Sequence, residues 1–265
     1  MVPPITVAIV PGNGAGDVEN CNWYGWLKAQ LQSRWPETQV RVMLRNMPDP
    51  VRARETVWLP FMANHLNCGE NSIIVGHSSG AAAGMRFAET SKVLGLVLVA
   101  AYVSDLGDAN EAASGYFNRP WEWEKIKANA SFITQIPPAP CTALDGVTLL
   151  QLTFCIITIT ITITITITIT ITITITITIT ITITITITIT ITITITITIT
   201  ITIIFASRDD PFLPWREQQQ VAACLGTELR AYEDRGHFQD EEQPEILEAL
   251  EAQLAAALAA GDGCA

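Results

Sequence analysis

The chain has 265 residues, with 26 acids against 15 lysines and arginines and a formal net charge of −11. That balance repels a phosphate backbone, so no nucleic-acid partner is expected. The mean hydropathy of +0.32 comes almost wholly from one alternating run, Ile157 to Ile203, and the remaining composition predicts no membrane association.

The N-terminus "MVPPITVAIVPGNG" has no basic region and no cleavable apolar stretch, which predicts an intracellular protein, cytoplasmic or nuclear. The six cysteines, at positions 21, 68, 141, 155, 224 and 264, form no CxxC pair and have no histidine at metal spacing. Neither a disulfide framework nor a zinc site is predicted, and no cofactor is expected.

In chain order, short apolar runs predict strands at Ile5 to Val10, Gln39 to Leu44, Ser72 to Gly76, Leu94 to Ala101, Ile203 to Ser207 and Glu228 to Glu233. Their continuous apolar character suits strands buried on both faces. Helices are predicted between them at Trp23 to Arg34, Arg54 to Leu66, Ala81 to Glu89, Pro214 to Leu225 and Pro244 to Leu258. The alternation predicts an α/β fold with a mostly parallel sheet of about six strands flanked by helices. Residues 102–118 read as a loop and Pro120 to Ala128 as a short helix. Together they either cover a pocket or form an ordinary connection with Trp121 and Trp123 packed on the core.

"IIVGHSSGAAAGMRFA" sets Gly76-x-Ser78-x-Gly80 between a strand and an alanine-rich helix, the context in which such a serine sits on a sharp turn with Oγ exposed. A serine hydroxyl needs a base, and the chain has three histidines. His77 adjoins Ser78 and points away from its Oγ, and His65 lies late in a helix. His237 follows the last strand at the sheet edge that bears Ser78, and is the candidate base. Asp209 and Asp210, just after the preceding strand, are both candidates for the carboxylate that orients it, and spacing does not separate them. The order Ser, Asp, His is that of α/β-hydrolases. Backbone N–H groups of Ser79 and Asn13, the latter in the "VPGNGAGD" loop, are the candidate oxyanion donors. A nucleotide-binding turn is the rival reading of that loop. Its glycines give G-x-G-x-G, however, and the second strand ends in Arg45 and Asn46 without a ribose-binding acid.

The segments "VPGNGAGD", "WYGW", "NMPDP", "ARETVWLPFM", "GHSSGAAA", "SDLGDANEAASGYFNRPWEWEKIKAN", "DDPFLPW", "EQQQVA" and "GHFQ" together resemble the retinoblastoma-binding protein 9 family of small serine hydrolases, in the α/β-hydrolase superfamily. The resemblance covers residues 5–135 and 205–250. It implies a compact α/β-hydrolase with Ser78 as nucleophile, His237 as base and, of the two aspartates, Asp210 as acid. The expected activity is cleavage of a small-molecule carboxylic ester or amide through an acyl-enzyme. The resemblance also draws attention to Leu66, Cys68 and Glu70, an L-x-C-x-E sequence of the type that retinoblastoma pocket proteins bind. The second functional reading is therefore a pocket-protein-binding module, which needs that stretch extended and accessible.

Against the family pattern, "SFITQ" should run almost directly into "FASRDDPF", yet residues 136–204 intervene. We read 1–135 and 205–265 as one hydrolase domain and 136–204 as a low-complexity insertion, a retained intron or a gene-model error. Alternation places isoleucine on one face and threonine on the other, and uncharged, proline-free, β-branched repeats favour aggregation. The insertion splits the strand that leads to Asp210. Its last residues, Ile201 to Ile204, offer a replacement for the lost half.

Overall fold

The computed structural model describes residues 3–130 and 202–262. Six strands form one sheet: β1 (Ile5–Val10), β2 (Val40–Met43), β3 (Ser72–His77), β4 (Gly95–Val99), β5 (Thr202–Ser207) and β6 (Glu228–Tyr232). The sheet order is β2-β1-β3-β4-β5-β6, and all five pairings are parallel. Seven α-helices accompany it among the described residues: α1 (Tyr24–Arg34), α2 (Glu55–His65), α3 (Ser79–Thr90), α4 (Ala109–Ser114), α5 (Trp123–Asn129), α6 (Trp215–Leu225) and α7 (Pro244–Asp262). No helix among these residues is long and apolar enough to cross a membrane.

The four inner strands, β1, β3, β4 and β5, are predominantly apolar because both faces are covered. Successive side chains point to opposite faces, so Val7, Ile9, Val75 and Val97 join Leu27 and Leu31 of α1 and Leu250 of α7 in one core. Ala8, Ile74, Leu96 and Leu98 join Trp58 and Met62 of α2 and the alanines of α3 in the other. β2 and β6 are the edge strands, and β6 has an exposed or half-buried pattern.

The chain winds outward from β1 to β2 on one side and from β3 to β6 on the other. The sheet therefore has its switch point between β1 and β3, where the loops that leave their C-terminal ends diverge and open a crevice.

The strand leading to Asp210 is intact. Thr202, Ile203 and Ile204, which the sequence places in the insertion, pair with Leu96, Val97 and Leu98 of β4. Ile203 and Ile204 enter opposite cores. β-Branched residues suit a pleated, doubly buried strand, whatever the origin of the segment that supplies them. The remainder of the alternating run lies outside the described residues.

Two expectations need correction. The 102–118 segment is not all loop, because α4 interrupts it. Asp108 caps this helix by accepting the N–H groups of Asn110 and Glu111 at 2.8 and 3.0 Å, and Gly115 ends it at φ 91°. One and a half turns are too few for a visible hydrophobic period. The next helix begins at Trp123 rather than Pro120. Buried Arg86 takes the carbonyls of Arg119 and Pro120, and Glu89 accepts the N–H of Glu122 at 2.9 Å, so these residues serve α3 before a helix can start.

Candidate active site

The crevice is a cavity of about 690 Å³, lined among others by Asn13, Tyr24, Ser78, Tyr102, Glu111 and His237. Every strand except β2 contributes a cavity-lining residue from the segment that follows it.

Ser78 occupies the turn between β3 and α3 at φ 54° and ψ −119°, a conformation that costs a non-glycine residue about 1–3 kcal/mol and survives only where its surroundings enforce it. The enforcement is steric. A Cβ on Gly76 would lie 2.4 Å from the carbonyl oxygen of Gly80, and one on Gly80 would lie 2.2 Å from that of Val10. Strand, turn and helix thus pass within backbone contact, and the N–H of Ser78 donates to the Val99 carbonyl at 2.9 Å. Ser79 opens α3, so its N–H has no partner within the helix. Gly12 brings the β1 loop against the turn: a Cβ there would stand 3.3 Å from that of Ser78.

The aspartates left open by spacing have separate partners. Asp210 has a fully buried side chain, and its Oδ2 accepts the Nδ1–H of His237 at 2.8 Å. Its Oδ1 accepts the N–H groups of Phe212 and Leu213 at 2.9 and 3.0 Å. Asp209 turns away. Its Oδ1 accepts the Ser207 hydroxyl at 2.6 Å and the Gly236 N–H at 2.8 Å, and these donors, the hydroxyl first, lower its pKa. Asp209 therefore fastens the histidine loop to the end of β5, whereas Asp210 addresses the imidazole itself.

His77 donates through Nε2 to the main-chain carbonyl of His237 at 2.8 Å, and its Nδ1 lies 2.6 Å from the Tyr24 hydroxyl. Burial, with His237 adding to it, lowers its pKa to about 3. Asn13 and Ser79 are joined through a group that the sequence reading missed. Glu111 on α4 accepts the Asn13 side-chain amide at 2.9 Å and the Tyr102 hydroxyl at 2.6 Å, and that hydroxyl lies 3.4 Å from Ser79 Oγ. Burial raises the pKa of Glu111, against the pull of its two donors. The only sequence signal for it was the Asp108-x-x-Glu111 spacing of a helix start.

The 102–130 segment divides into the two roles predicted as alternatives. Its first half, with Leu106 and Glu111, lines the cavity. Its second half is packed: Trp121 donates to the Val103 carbonyl at 2.8 Å and lies 3.8 Å beneath the Arg86 guanidinium.

The L-x-C-x-E stretch is not presented for docking. Leu66 is fully buried and Cys68 is buried beside it, with the Cys68 N–H bonded to the Met62 carbonyl at 3.0 Å. Glu70 alone of the three is exposed. Binding through Leu66 and Cys68 would require the end of α2 to leave the core.

A protein-family profile described as serine hydrolase matches residues 7–130. The rat (Rattus norvegicus) protein Serine hydrolase RBBP9 is 41% identical over 258 residues, which span 97% of this chain and 100% of that one. The chain belongs to the serine hydrolase family. Among solved structures, the ydeN gene product of Bacillus subtilis matches 94% of this chain and 98% of its own, at 18% identity and a TM-score of 0.60. That likeness extends the family's α/β fold to a distant sequence. Membership makes the protein a hydrolase, and the crevice at the switch point is where its fold collects polar side chains.

Proposed function

We propose that the protein cleaves a small-molecule carboxylic ester or amide, with Ser78 as nucleophile, His237 as general base and Asp210 as the carboxylate that orients it. The observation that carries this reading is the pairing of buried Asp210 with Nδ1 of His237 on the cavity that also holds strained Ser78. With Nδ1–H committed to Asp210, Nε2 of His237 is the nitrogen left to receive the Ser78 proton. Ser78 Oγ adds to the substrate carbonyl as His237 takes its proton. The N–H groups of Asn13 and Ser79 hold the oxyanion. His237 then gives the proton to the departing alcohol or amine, and water, activated by the same nitrogen, releases the acid from Ser78.

A fluorophosphonate probe tests the assignment. Labelling of the full chain that disappears in Ser78→Ala supports it, and labelling that persists in this variant overturns it. A panel of ester and amide substrates then defines the acyl group. Pocket-protein binding, the second reading, gains nothing from a motif whose leucine and cysteine are buried.

A further inference from the structure

We infer that His77 is a positioning residue: a neutral imidazole protonated at Nε2, it couples the Gly12 turn to the main chain of His237 and so sets the base against Ser78. This rests on the reading of Ser78 and His237 given above.

The direction of each hydrogen bond follows by elimination. The His237 carbonyl is only an acceptor, so the bond at 2.8 Å requires the proton on Nε2 of His77. The ring is buried, 2% exposed, and its depressed pKa leaves it neutral near pH 7, so Nδ1 carries a bare lone pair. The Tyr24 hydroxyl, 2.6 Å away, must donate to it. The Tyr24 oxygen is then free to accept, and it takes the Gly12 N–H at 3.1 Å and the Asn22 amide at 3.2 Å.

One continuous path results, from Gly12 N–H through Tyr24 and His77 to the carbonyl of His237. It joins the candidate oxyanion turn to the candidate base, and because His77 precedes Ser78 in the chain, it is anchored at the nucleophile. The base needs such an anchor. Gly236 and Phe238 on either side of His237 both have positive φ, 50° and 53°, so the turn is not held by a regular element. A second pin comes from Trp23, whose Nε1–H donates to the Phe238 carbonyl at 2.9 Å. Asp210 holds the His237 side chain, and His77 is the pin on its main chain.

Three measurements on the full chain test the inference. Long-range proton–nitrogen NMR correlations of the His77 ring at pH 7 should show a neutral ring with Nε2 protonated and Nδ1 bare. A protonated ring, or one protonated at Nδ1, would overturn it. His77→Leu removes the donor, whereas a glutamine amide can reach the same carbonyl. His77→Leu should lose at least about thirtyfold in kcat with KM within threefold, and His77→Gln should recover most of the loss, because a misplaced catalytic group can cost on the order of a hundredfold. Equal impairment of both variants would leave His77 a packing residue and sink the idea. If His77→Leu fails to fold, Tyr24→Phe serves. It keeps the ring and deletes the hydroxyl, and should lower kcat about tenfold at unchanged KM. Wild-type kcat there would refute the coupling. Probe labelling that persists in Ser78→Ala would instead mean that the assignment of Ser78 had failed.

Discussion

The Ser78 turn and the edge formed by the loops after β5 and β6 both line the cavity and are held by different physics. At the turn, backbone atoms are in contact: β1, β3 and α3 approach so closely that neither Gly76 nor Gly80 has room for a methyl group. At the edge, the loops after β5 and β6 are thin and partly exposed, and they are secured by carboxylates that accept N–H and O–H groups. Packing is intolerant of added volume, while hydrogen bonding is intolerant of a lost or reversed partner. Substitutions should therefore fail on the two sides for different reasons.

The largest effect is expected at the edge, on activity. Asp210→Asn preserves size and the Oδ1 acceptor for Phe212 and Leu213, but it sets an amide donor against the Nδ1–H of His237. The imidazole must change tautomer or turn away, so kcat should fall roughly a thousand- to ten-thousand-fold with little loss of stability. Asp209→Asn is the control. An amide oxygen can still accept from Ser207 and Gly236, and kcat should fall by less than about tenfold. Similar losses in both variants would show that the edge is held as a unit and not by one directed bond.

The contrast in stability is cleanest with one substitution made twice. In Gly80→Ala the new methyl would lie 2.2 Å from the Val10 carbonyl oxygen and 2.6 Å from that of Pro11, and both are backbone. A loss of about 3 kcal/mol or more is expected in urea unfolding. In Gly236→Ala nothing lies within 4 Å of the added carbon, and only the backbone angle of φ 50° opposes it. The cost there should be about 1–2 kcal/mol. Equal costs would abolish the distinction between a packed side and a bonded one.

This difference also decides what could be read from the sequence. The serine turn was legible because steric demand writes itself as glycines at fixed offsets around one residue. The sheet was legible because doubly buried strands are predominantly apolar, and Ile203 and Ile204, where the repeat meets the domain, obey that rule. Hydrogen-bonded connections leave no such trace. Nothing in the spacing of Asp209 and Asp210 shows which faces the imidazole, since a rotation of the loop would exchange them; the family resemblance, not the spacing, favoured Asp210. Tyr24, Tyr102 and Glu111 are ordinary helix and strand-end residues in sequence, and the hydrogen bonds that tie them into the site reach 9 to 98 positions along the chain. α4 escaped detection for its brevity.

His77 belongs to the packed side by position and reaches the bonded side through one hydrogen bond, so pH should expose the join. Its pKa falls from 6.5 to about 3 on folding, which means that the unfolded chain binds the proton more readily. Stability is fully present above pH 6.5 and is lost as the pH falls toward 3. The linked slope is about 1.4 kcal/mol per pH unit, so between pH 6.5 and pH 5 the protein should lose about 2 kcal/mol more than His77→Gln, whose side chain does not titrate. Parallel curves for the two proteins would mean that the folded ring takes up its proton.

The smallest effect tests how far the bonded edge extends into the cavity. Phe212 is 59% exposed, and its ring meets that of His237 edge to face at 5.1 Å. Its backbone N–H, which Asp210 accepts at 2.9 Å, survives replacement by alanine, so Phe212→Ala removes the ring and leaves the acid held. An exposed side chain away from the cores should change stability by less than about 0.5 kcal/mol. If the ring contacts only substrate, KM should rise a few-fold and kcat should stay near wild type, because uniform binding is what is lost. If kcat falls instead, the exposed ring is steadying His237, and the base depends on side-chain packing as well as on its hydrogen bonds.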